Sequence, residues 1–309
     1  MTAPSAPVIA GVDGTIRSIE ATRWAAHEAA RRSTTLQLVH ASYLAQMQPL
    51  PDQRKVTDAA LTEAYQAASL AEPELTIETV GAVASPAHYL LEHSEGAAMI
   101  VLGTHPGNSL LGAVFGSIAQ TVAAHAMCPV IVIGDPVPAE AADTGPIVVG
   151  VSNHPGGMQA LRFAFDEAAR TGARLIAVRS WGEVDWGKGR LGYNHELFAE
   201  WRRMESVLLD HCLVEVEGDY PQVTVHRKLE GERADHALQR VAQGARLLVV
   251  GAHRRDDHWF SRLGPVPSWL LHRSPCPLAI VGQPHPLPAD LTETAPAAAQ
   301  QASEPAPVQ

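Results

Sequence analysis

MIVLGTHPGNSLLGAVFGS at Met99–Ser117 returns later in the chain as LLVVGAHRRDDHWFSRLGP at Leu247–Pro265. Two shorter segments return in the same order around it: VIAGVDG (Val8–Gly14) as IVVGVSN (Ile147–Asn153), and CPVIVI (Cys128–Ile133) as CPLAIV (Cys276–Val281). A pattern that repeats at about half of the chain length indicates two copies of one domain. The 309 residues are enough for two domains of ordinary size, each with its own hydrophobic core.

In the first copy, apolar runs of strand length alternate with stretches that have helical periodicity. The predicted strands are Val8–Val12, Leu36–His40, Leu75–Val80, Met99–Gly103 and Val130–Ile133, and the predicted helices are Ser18–Arg32, Thr57–Ala71, Ala87–His93 and Ile118–His125. The second copy repeats this order. Alternating strands and helices are typical of parallel strands joined by right-handed crossovers. We therefore predict an α/β fold in which helices cover both faces of a parallel sheet.

The repeat also sets the expected domain boundaries. We expect domain one at residues 1–134, a Pro-, Ala- and acid-rich linker at 135–145, domain two at 146–283 and a tail at 284–309. The tail is rich in Pro and Ala and low in hydrophobicity, so it cannot bury enough apolar surface to fold. We expect it to be disordered.

The second copy is longer in its middle. Equivalent residues are 139 positions apart at Gly11 and 148 apart at Gly103, which leaves nine extra residues in the second copy. The insertion falls near Trp181–Trp201, which holds three of the six tryptophans. Such a segment is either a protein-binding patch, where Trp and Tyr concentrate, or an aromatic cover for the helices of domain two.

Charge and composition exclude several classes of partner. The formal net charge of −10 argues against a nucleic-acid groove and against an anionic membrane surface, which both need clustered Lys and Arg. No apolar run reaches the roughly 20 residues of a membrane-spanning helix, and the first residues lack the pattern of an export signal. The three cysteines are expected to be buried, reduced thiols of a cytoplasmic protein.

Polar and small residues follow two of the predicted strands. Asp13 ends the first strand, while Gly103, Gly107, Gly116 and Ser117 follow the fourth. In an open parallel sheet, ligands bind at the carboxyl ends of the strands. Asp13 can accept hydrogen bonds from a ribose or a base, and the glycines with Ser117 at a helix start can approach a phosphate. Each residue has a plainer interpretation: Asp13 as a turn cap, the glycines as turn residues and Ser117 as a helix N-cap.

The chain resembles the tandem form of the universal stress protein family over about residues 7–134 and 145–283. The resemblance is carried by VDG at Val12–Gly14, LVHA at Leu38–Ala41 and the long segment at Met99–Ser117 that leads into CPVIVI. It implies flavodoxin/Rossmann-like domains, each with a five-stranded parallel sheet flanked by helices, and dimerisation through the last strand. It also implies ATP as the ligand, and whether Mg²⁺ accompanies ATP stays open.

The family's site residues are carried over position by position. The resemblance implies that Asp13 meets the ribose, that Ala41 borders the adenine, and that Gly103, Gly116 and Ser117 surround the phosphates. The family pattern has Gly, two residues, Gly, nine residues and then Gly-Ser or Gly-Thr, but here Pro106 stands at the second glycine. Proline has no N–H to donate, although Gly107 is adjacent and could replace it. Loss of one such hydrogen bond weakens binding by about tenfold to a hundredfold.

The second copy departs further from the family pattern. Ser152 replaces Asp13, Arg254 stands at the second glycine position, and Pro265 replaces Ser117, while Gly264 is kept. We expect domain two not to hold ATP and to pair with domain one as an internal pseudo-dimer. The sequence leaves open whether whole chains also form a homo-oligomer.

Catalytic and metal-binding patterns are missing from the sequence. It has no G-x-S-x-G elbow, no Walker lysine loop and no tight His ligand pair, and His88 and His93 are five residues apart.

His40 and His105 lie near the expected pocket, where His40 is either a nucleotide contact or a polar residue at a strand end. Together with the resemblance, these patterns predict a nucleotide-responsive sensor for stress adaptation with an unidentified protein partner. The alternative is a protein-interaction module that binds no nucleotide. Slow ATP hydrolysis or self-phosphorylation stays open, and a hydrolytic enzyme is the weakest hypothesis.

Overall fold

The structure of this protein, a computed structural model, describes residues 5–42, 51–104, 112–134, 144–182, 195–252 and 263–282. For residues 51–53, 112–117 and 195–198 it describes the backbone alone. Several features of the sequence analysis lie outside the described residues: His105, Pro106, Gly107, Arg254, nearly all of the linker and the tail at 284–309.

Each half of the described chain has five strands and four helices in alternating order. Lobe one contains β1 (Val8–Gly11), α1 (Ile16–Arg31), β2 (Leu36–Ala41), α2 (Pro51–Ala71), β3 (Ile77–Ala82), α3 (Pro86–Glu92), β4 (Met99–Gly103), α4 (Gly112–His125) and β5 (Val130–Ile133). Lobe two contains β6 (Ile147–Gly150), α5 (Pro155–Thr171), β7 (Leu175–Ser180), α6 (His195–Glu217), β8 (Val225–Glu230), α7 (Ala234–Val241), β9 (Leu247–Gly251), α8 (Pro265–Leu270) and β10 (Leu278–Val281). None of the described helices has both the length and the apolar character needed to cross a membrane.

The ten strands form one continuous sheet in the order β3-β2-β1-β4-β5-β10-β9-β6-β7-β8. Strands within each lobe are parallel, and the two lobes join where β5 and β10 pair antiparallel, with Ala279 opposite Ile131. The predicted parallel α/β fold is confirmed. The last strands of the two copies pair within one chain, as predicted for an internal pseudo-dimer.

Helices cover both faces of the sheet, and alternate strand residues enter different cores. On β4, Met99 and Val101 pack in the core beneath α1, α2, α5 and α6, while Ile100 and Leu102 pack in the core beneath the shorter helices α3, α4, α7 and α8. All three cysteines are buried thiols, as expected, and burial raises the pKa of Cys128 and of Cys276 to about 12.

Strand predictions were more accurate than helix predictions. The bounds of β4 and β5 agree with the sequence analysis, whereas α4 begins at Gly112, six residues before Ile118. The prediction that Ser117 lies at the N-terminus of this helix is therefore wrong. Val114 stands four residues before Ile118 and extends the apolar spacing, and a glycine such as Gly116 costs a helix only about 1 kcal/mol. The N–H of Ser117 thus lies beyond the first four donors, which are the ones a helix leaves unsatisfied.

A buried charge cluster joins the two lobes beside the sheet. Arg32, at the end of α1, donates from Nε to Glu28 Oε1 at 2.6 Å and from Nη2 to Glu167 Oε1 of α5. The side chains of Glu28 and Glu167 are 3% and 5% exposed. A second guanidinium, that of Arg170, lies 3.8 Å from Glu167. Equivalent carboxylates of the two repeats therefore share one arginine across the lobe boundary.

Candidate functional site

A cavity of about 340 Å³ opens at the carboxyl ends of β1, β2 and β4. Its lining combines strand-end residues with side chains of α1, α3 and α4: Gly11, Val12, Asp13, Ser18, Val39, His40, Ala41, Ser42, Pro86, Leu90, Leu102, Gly103, Ile118 and Ala119. The carboxyl ends of parallel strands form the edge at which ligands bind in open α/β sheets. The cavity is mainly apolar, with Asp13 as the only carboxylate among its described lining residues.

Asp13 holds the turn between β1 and α1. Its Oδ1 accepts hydrogen bonds from the Thr15 N–H at 3.0 Å and from the Thr15 hydroxyl at 2.6 Å, and Gly14 between them has φ +77°. The turn-cap interpretation of Asp13 thus describes Oδ1 correctly. Across the described residues, Oδ2 accepts no hydrogen bond, so the second oxygen of this carboxylate can accept one from a ligand.

His40 is anchored to the backbone at the mouth of the cavity. Its Nδ1 lies 2.9 Å from the carbonyl oxygen of Val12. Because a carbonyl oxygen only accepts, Nδ1 carries the proton, and Nε2 of the neutral ring is then an acceptor. This contact gives His40 the role of a polar strand-end residue that the sequence analysis weighed against a nucleotide contact. The contact leaves the other ring nitrogen, Nε2, for a hydrogen bond with a nucleotide.

Gly103 is required by helix packing. A Cβ at this position would lie 2.6 Å from the backbone carbon and oxygen of Arg17, so the start of α1 lies directly against the end of β4. The Arg17 guanidinium donates from Nη1 to the carbonyl of Gly134 at 2.9 Å and so ties this corner to the end of β5. Gly251 in lobe two has the same close contact with the backbone of Gly156. The close approach is therefore explained by the helix without any phosphate.

Three predicted site residues, Asp13, Ala41 and Gly103, come together around the cavity. Gly107 lies outside the described residues, and Gly116 and Ser117 belong to the part of α4 that is described by backbone alone. The sequence analysis missed residues that α1, α3 and α4 contribute, such as Ser18, Leu90 and Ala119. These residues belong to predicted helices, but helical periodicity does not show which residues of a helix face a cavity.

Lobe two has a cavity of similar volume, about 340 Å³, at the equivalent edge of the sheet. Ser152 replaces Asp13 there, while Arg179 and Ser180 stand where lobe one has His40 and Ala41. The Ser180 hydroxyl donates to the backbone carbonyl of Glu232. The sequence analysis predicted loss of the nucleotide contacts in this copy and did not consider Arg179. Comparison of LVHA at Leu38–Ala41 with the aligned AVRS could have identified it.

A family model described as "Universal stress protein family" matches this chain twice, over residues 6–134 and 144–282. The two matches include both cavities and the whole ten-stranded sheet. The chain belongs to the universal stress protein family.

Curated universal stress proteins match along nearly the full chain. Those of Mycobacterium tuberculosis and Mycobacterium bovis are 29% identical over 290 residues, which cover 89% of this chain and 97% of the relative. A universal stress protein of Mycolicibacterium smegmatis is 28% identical over 291 residues, covering 89% of this chain and 96% of the relative. The tandem arrangement of two universal stress protein domains is thus shared with these relatives.

Solved structures show the same fold. A universal stress protein of Archaeoglobus fulgidus superposes with a TM-score of 0.66 at 17% identity, covering 91% of this chain and 97% of that one. A universal stress protein structure from Pseudomonas aeruginosa superposes with a TM-score of 0.60 at 16% identity, covering 90% of this chain and 93% of that one. These superpositions extend over both lobes of this universal stress protein.

Among the described residues, no three or more His, Cys, Asp or Glu side chains are grouped so that they could hold a metal ion.

Proposed function

We propose that this universal stress protein binds ATP in the lobe-one cavity and acts in the cytoplasm as a nucleotide-responsive regulator of stress adaptation. The observation that supports it best is the cavity itself, which is open and has Asp13, Ala41 and Gly103 in its lining. Its volume of about 340 Å³ is at the lower end of the 300–1,000 Å³ of small-molecule sites. This space suits the nucleoside part of ATP.

In this proposal, each part of the nucleotide has its own surroundings. Oδ2 of Asp13 accepts from a ribose hydroxyl, and the adenine lies beside Ala41 between apolar side chains such as Val39 and Leu90. The phosphates extend past Gly103 toward Gly107, Gly116 and Ser117. Because Ser117 lies inside α4, its hydroxyl is a better phosphate donor than its backbone N–H.

A magnesium ion fits this proposal as a companion of the phosphates. Mg²⁺ usually keeps several waters and is held by one or two carboxylates together with substrate phosphates. The described lining offers the single carboxylate of Asp13, which also holds Thr15. The protein would therefore supply few direct ligands, and Mg²⁺ would arrive with ATP.

We propose regulation without rapid turnover. The sequence has no Walker lysine, and the described lining of the lobe-one cavity holds one carboxylate rather than the pair that would stabilise phosphoryl transfer. A bound nucleotide then acts by favouring the conformation that binds it more tightly, and a partner protein reads that conformation.

Calorimetric titration of ATP into the full chain tests this function. We expect saturable binding in the wild type and a loss of about tenfold to a hundredfold in Asp13→Asn, because a charge-assisted hydrogen bond to the ribose is lost. The matched control is Ser152→Ala at the equivalent position of lobe two, which should bind ATP as the wild type does. Equal affinity in Asp13→Asn and the wild type would contradict the proposed site.

A second candidate function is supported by an exposed apolar surface on α6. Trp201, Met204 and Val207 are 40%, 52% and 67% exposed, and contiguous exposed apolar surface is a common feature of protein-binding sites. This protein would then work as an interaction module without nucleotide. Heat no greater than that of a buffer blank at millimolar ATP would favour this second function.

A further inference from the structure

The lobe-two cavity has a different charge from the lobe-one cavity. Its described lining contains no carboxylate, because Ser152 replaces Asp13, and it contains the guanidinium of Arg179 in place of the imidazole of His40. The volume, about 340 Å³ in both lobes, is unchanged. The substitutions have therefore altered the chemistry of this cavity without filling it.

Two contacts anchor Arg179 at the wall of this cavity. Its Nε donates to Glu205 Oε2 of α6, and its Nη1 lies 3.5 Å from the carbonyl oxygen of Val151. Both charged side chains are only 12% exposed. Within the described ranges, Nη2 of Arg179 donates to no acceptor. A guanidinium fixed by two contacts loses little conformational freedom when it binds a third group.

Other arginines of this chain show which groups Nη2 of Arg179 can bind. Arg32 donates from Nε to Glu28 and from Nη2 to Glu167. The same division, with Nε on one carboxylate and Nη2 on another, is found at Arg227 with Asp210 and Glu217 and at Arg240 with Glu232 and Glu230. Arg179 has the first of these two carboxylates, Glu205, and it lines a cavity whose described residues include no carboxylate.

The other side chains that line the cavity indicate that the ligand has an apolar part. Leu238 of α7, Val250 of β9 and Val266 of α8 contribute apolar side chains to the same cavity. The polar lining residues are Ser152, Asn153, His154, Arg179 and Ser180. Apolar walls with a few well-placed polar groups are typical of sites for small organic molecules. A free inorganic ion would leave these walls without a partner.

We propose that lobe two binds a small organic anion, a carboxylate or a phosphate monoester with an apolar body, whose oxygen accepts from Nη2 of Arg179. Glu205 acts as a positioning residue that orients the guanidinium. This site is separate from the ATP site proposed in lobe one.

Titrations of the full chain with benzoate, phenyl phosphate and benzamide test this site. We expect saturable binding of at least one of the two anions, and the tighter one identifies the preferred head group. Benzamide has the same ring without charge and should bind about tenfold to a hundredfold more weakly, the value of a charge-assisted hydrogen bond. Binding of benzamide as tight as that of the anions, or no binding of either anion at millimolar concentration, would overturn the proposal.

Variants separate this site from the rest of the protein. The double variant Arg179→Gln/Glu205→Gln removes the pair without leaving a buried unpaired charge, and should lose anion binding about tenfold or more while circular dichroism shows a folded chain. The control, Arg227→Gln/Glu217→Gln, removes an exposed pair of the same kind and should bind as the wild type does. Asp13→Asn should also keep anion binding, so failure of the ATP proposal would not affect this result. Unchanged anion affinity in the folded Arg179→Gln/Glu205→Gln variant would show that the site is wrong.

Discussion

At the residue scale, equivalent positions of the two lobes keep a structural contact while their chemistry changes. His40 and Arg179 both donate to the carbonyl at the end of the first strand of their lobe, Val12 at 2.9 Å and Val151 at 3.5 Å. Repetition of the contact indicates that it serves the fold. The remaining nitrogen of each side chain differs, since it is Nε2 of an imidazole in His40 and Nη2 of a guanidinium in Arg179, and this difference distinguishes the proposed ligands.

The close packing at Gly103 gives a prediction at the same scale. Gly103→Ala should lower the free energy of unfolding by about 1–3 kcal/mol, because the new Cβ would lie 2.6 Å from the Arg17 backbone and α1 would have to shift. The measurement is urea unfolding. Gly96→Ala is the matched control, since a Cβ there would meet nothing within 4 Å. Equal stability of the two variants would contradict this explanation of Gly103.

At the element scale, the start of α1 links the fold to the candidate site. Thr15 is the N-cap: its Oγ1 accepts from the Ser18 N–H at 3.3 Å and donates to Asp13 Oδ1. One hydroxyl therefore satisfies a helix donor and also orients the carboxylate that lines the cavity. Ser18 lines the same cavity, so the helix start and the site share their residues.

Thr15→Ala should therefore lower the free energy of unfolding by about 1 kcal/mol, the usual effect of losing an N-cap. Urea unfolding measures it. Thr62→Ala is the control, because the Thr62 hydroxyl bonds within the exposed part of α2, to the carbonyl of Asp58 at 2.6 Å. If the two variants lose equal stability, the cap does not have the role described here.

At the scale of the whole molecule, the two lobes share a sheet and a buried charge cluster. Burial, and then the negative charge of Glu28, raises the pKa of Glu167 to about 7, although Arg32 and Arg170 oppose the shift. The ordinary pKa of this carboxyl is 4.5, so the folded protein holds the proton more tightly than the unfolded chain does. The contribution of this group to stability is therefore complete below pH 4.5 and is lost as the pH rises through 7.

Because the contribution of Glu167 to stability is lost over this range, we expect the melting temperature of the wild type to fall as the pH rises from 4.5 to 7. Glu167→Gln keeps a neutral, uncharged side chain and should show a flatter pH profile in thermal unfolding. Glu95→Gln, at an exposed position, should keep the wild-type profile. An unchanged profile in Glu167→Gln would contradict a titrating carboxyl at the lobe boundary.

Local sequence patterns were enough to predict the two copies, the α/β class, the bounds of β4 and β5 and the edge of the sheet at which Asp13 and Gly103 line one cavity. These features depend on apolar periodicity and on repeated segments, which are local properties of the chain. The folded chain was needed to show that Gly103 lies against Arg17, that Glu28 and Glu167 share Arg32, and that Glu205 holds Arg179 at the wall of a second cavity. Each of these contacts joins residues far apart in sequence, and no local pattern states which distant side chain will be its partner.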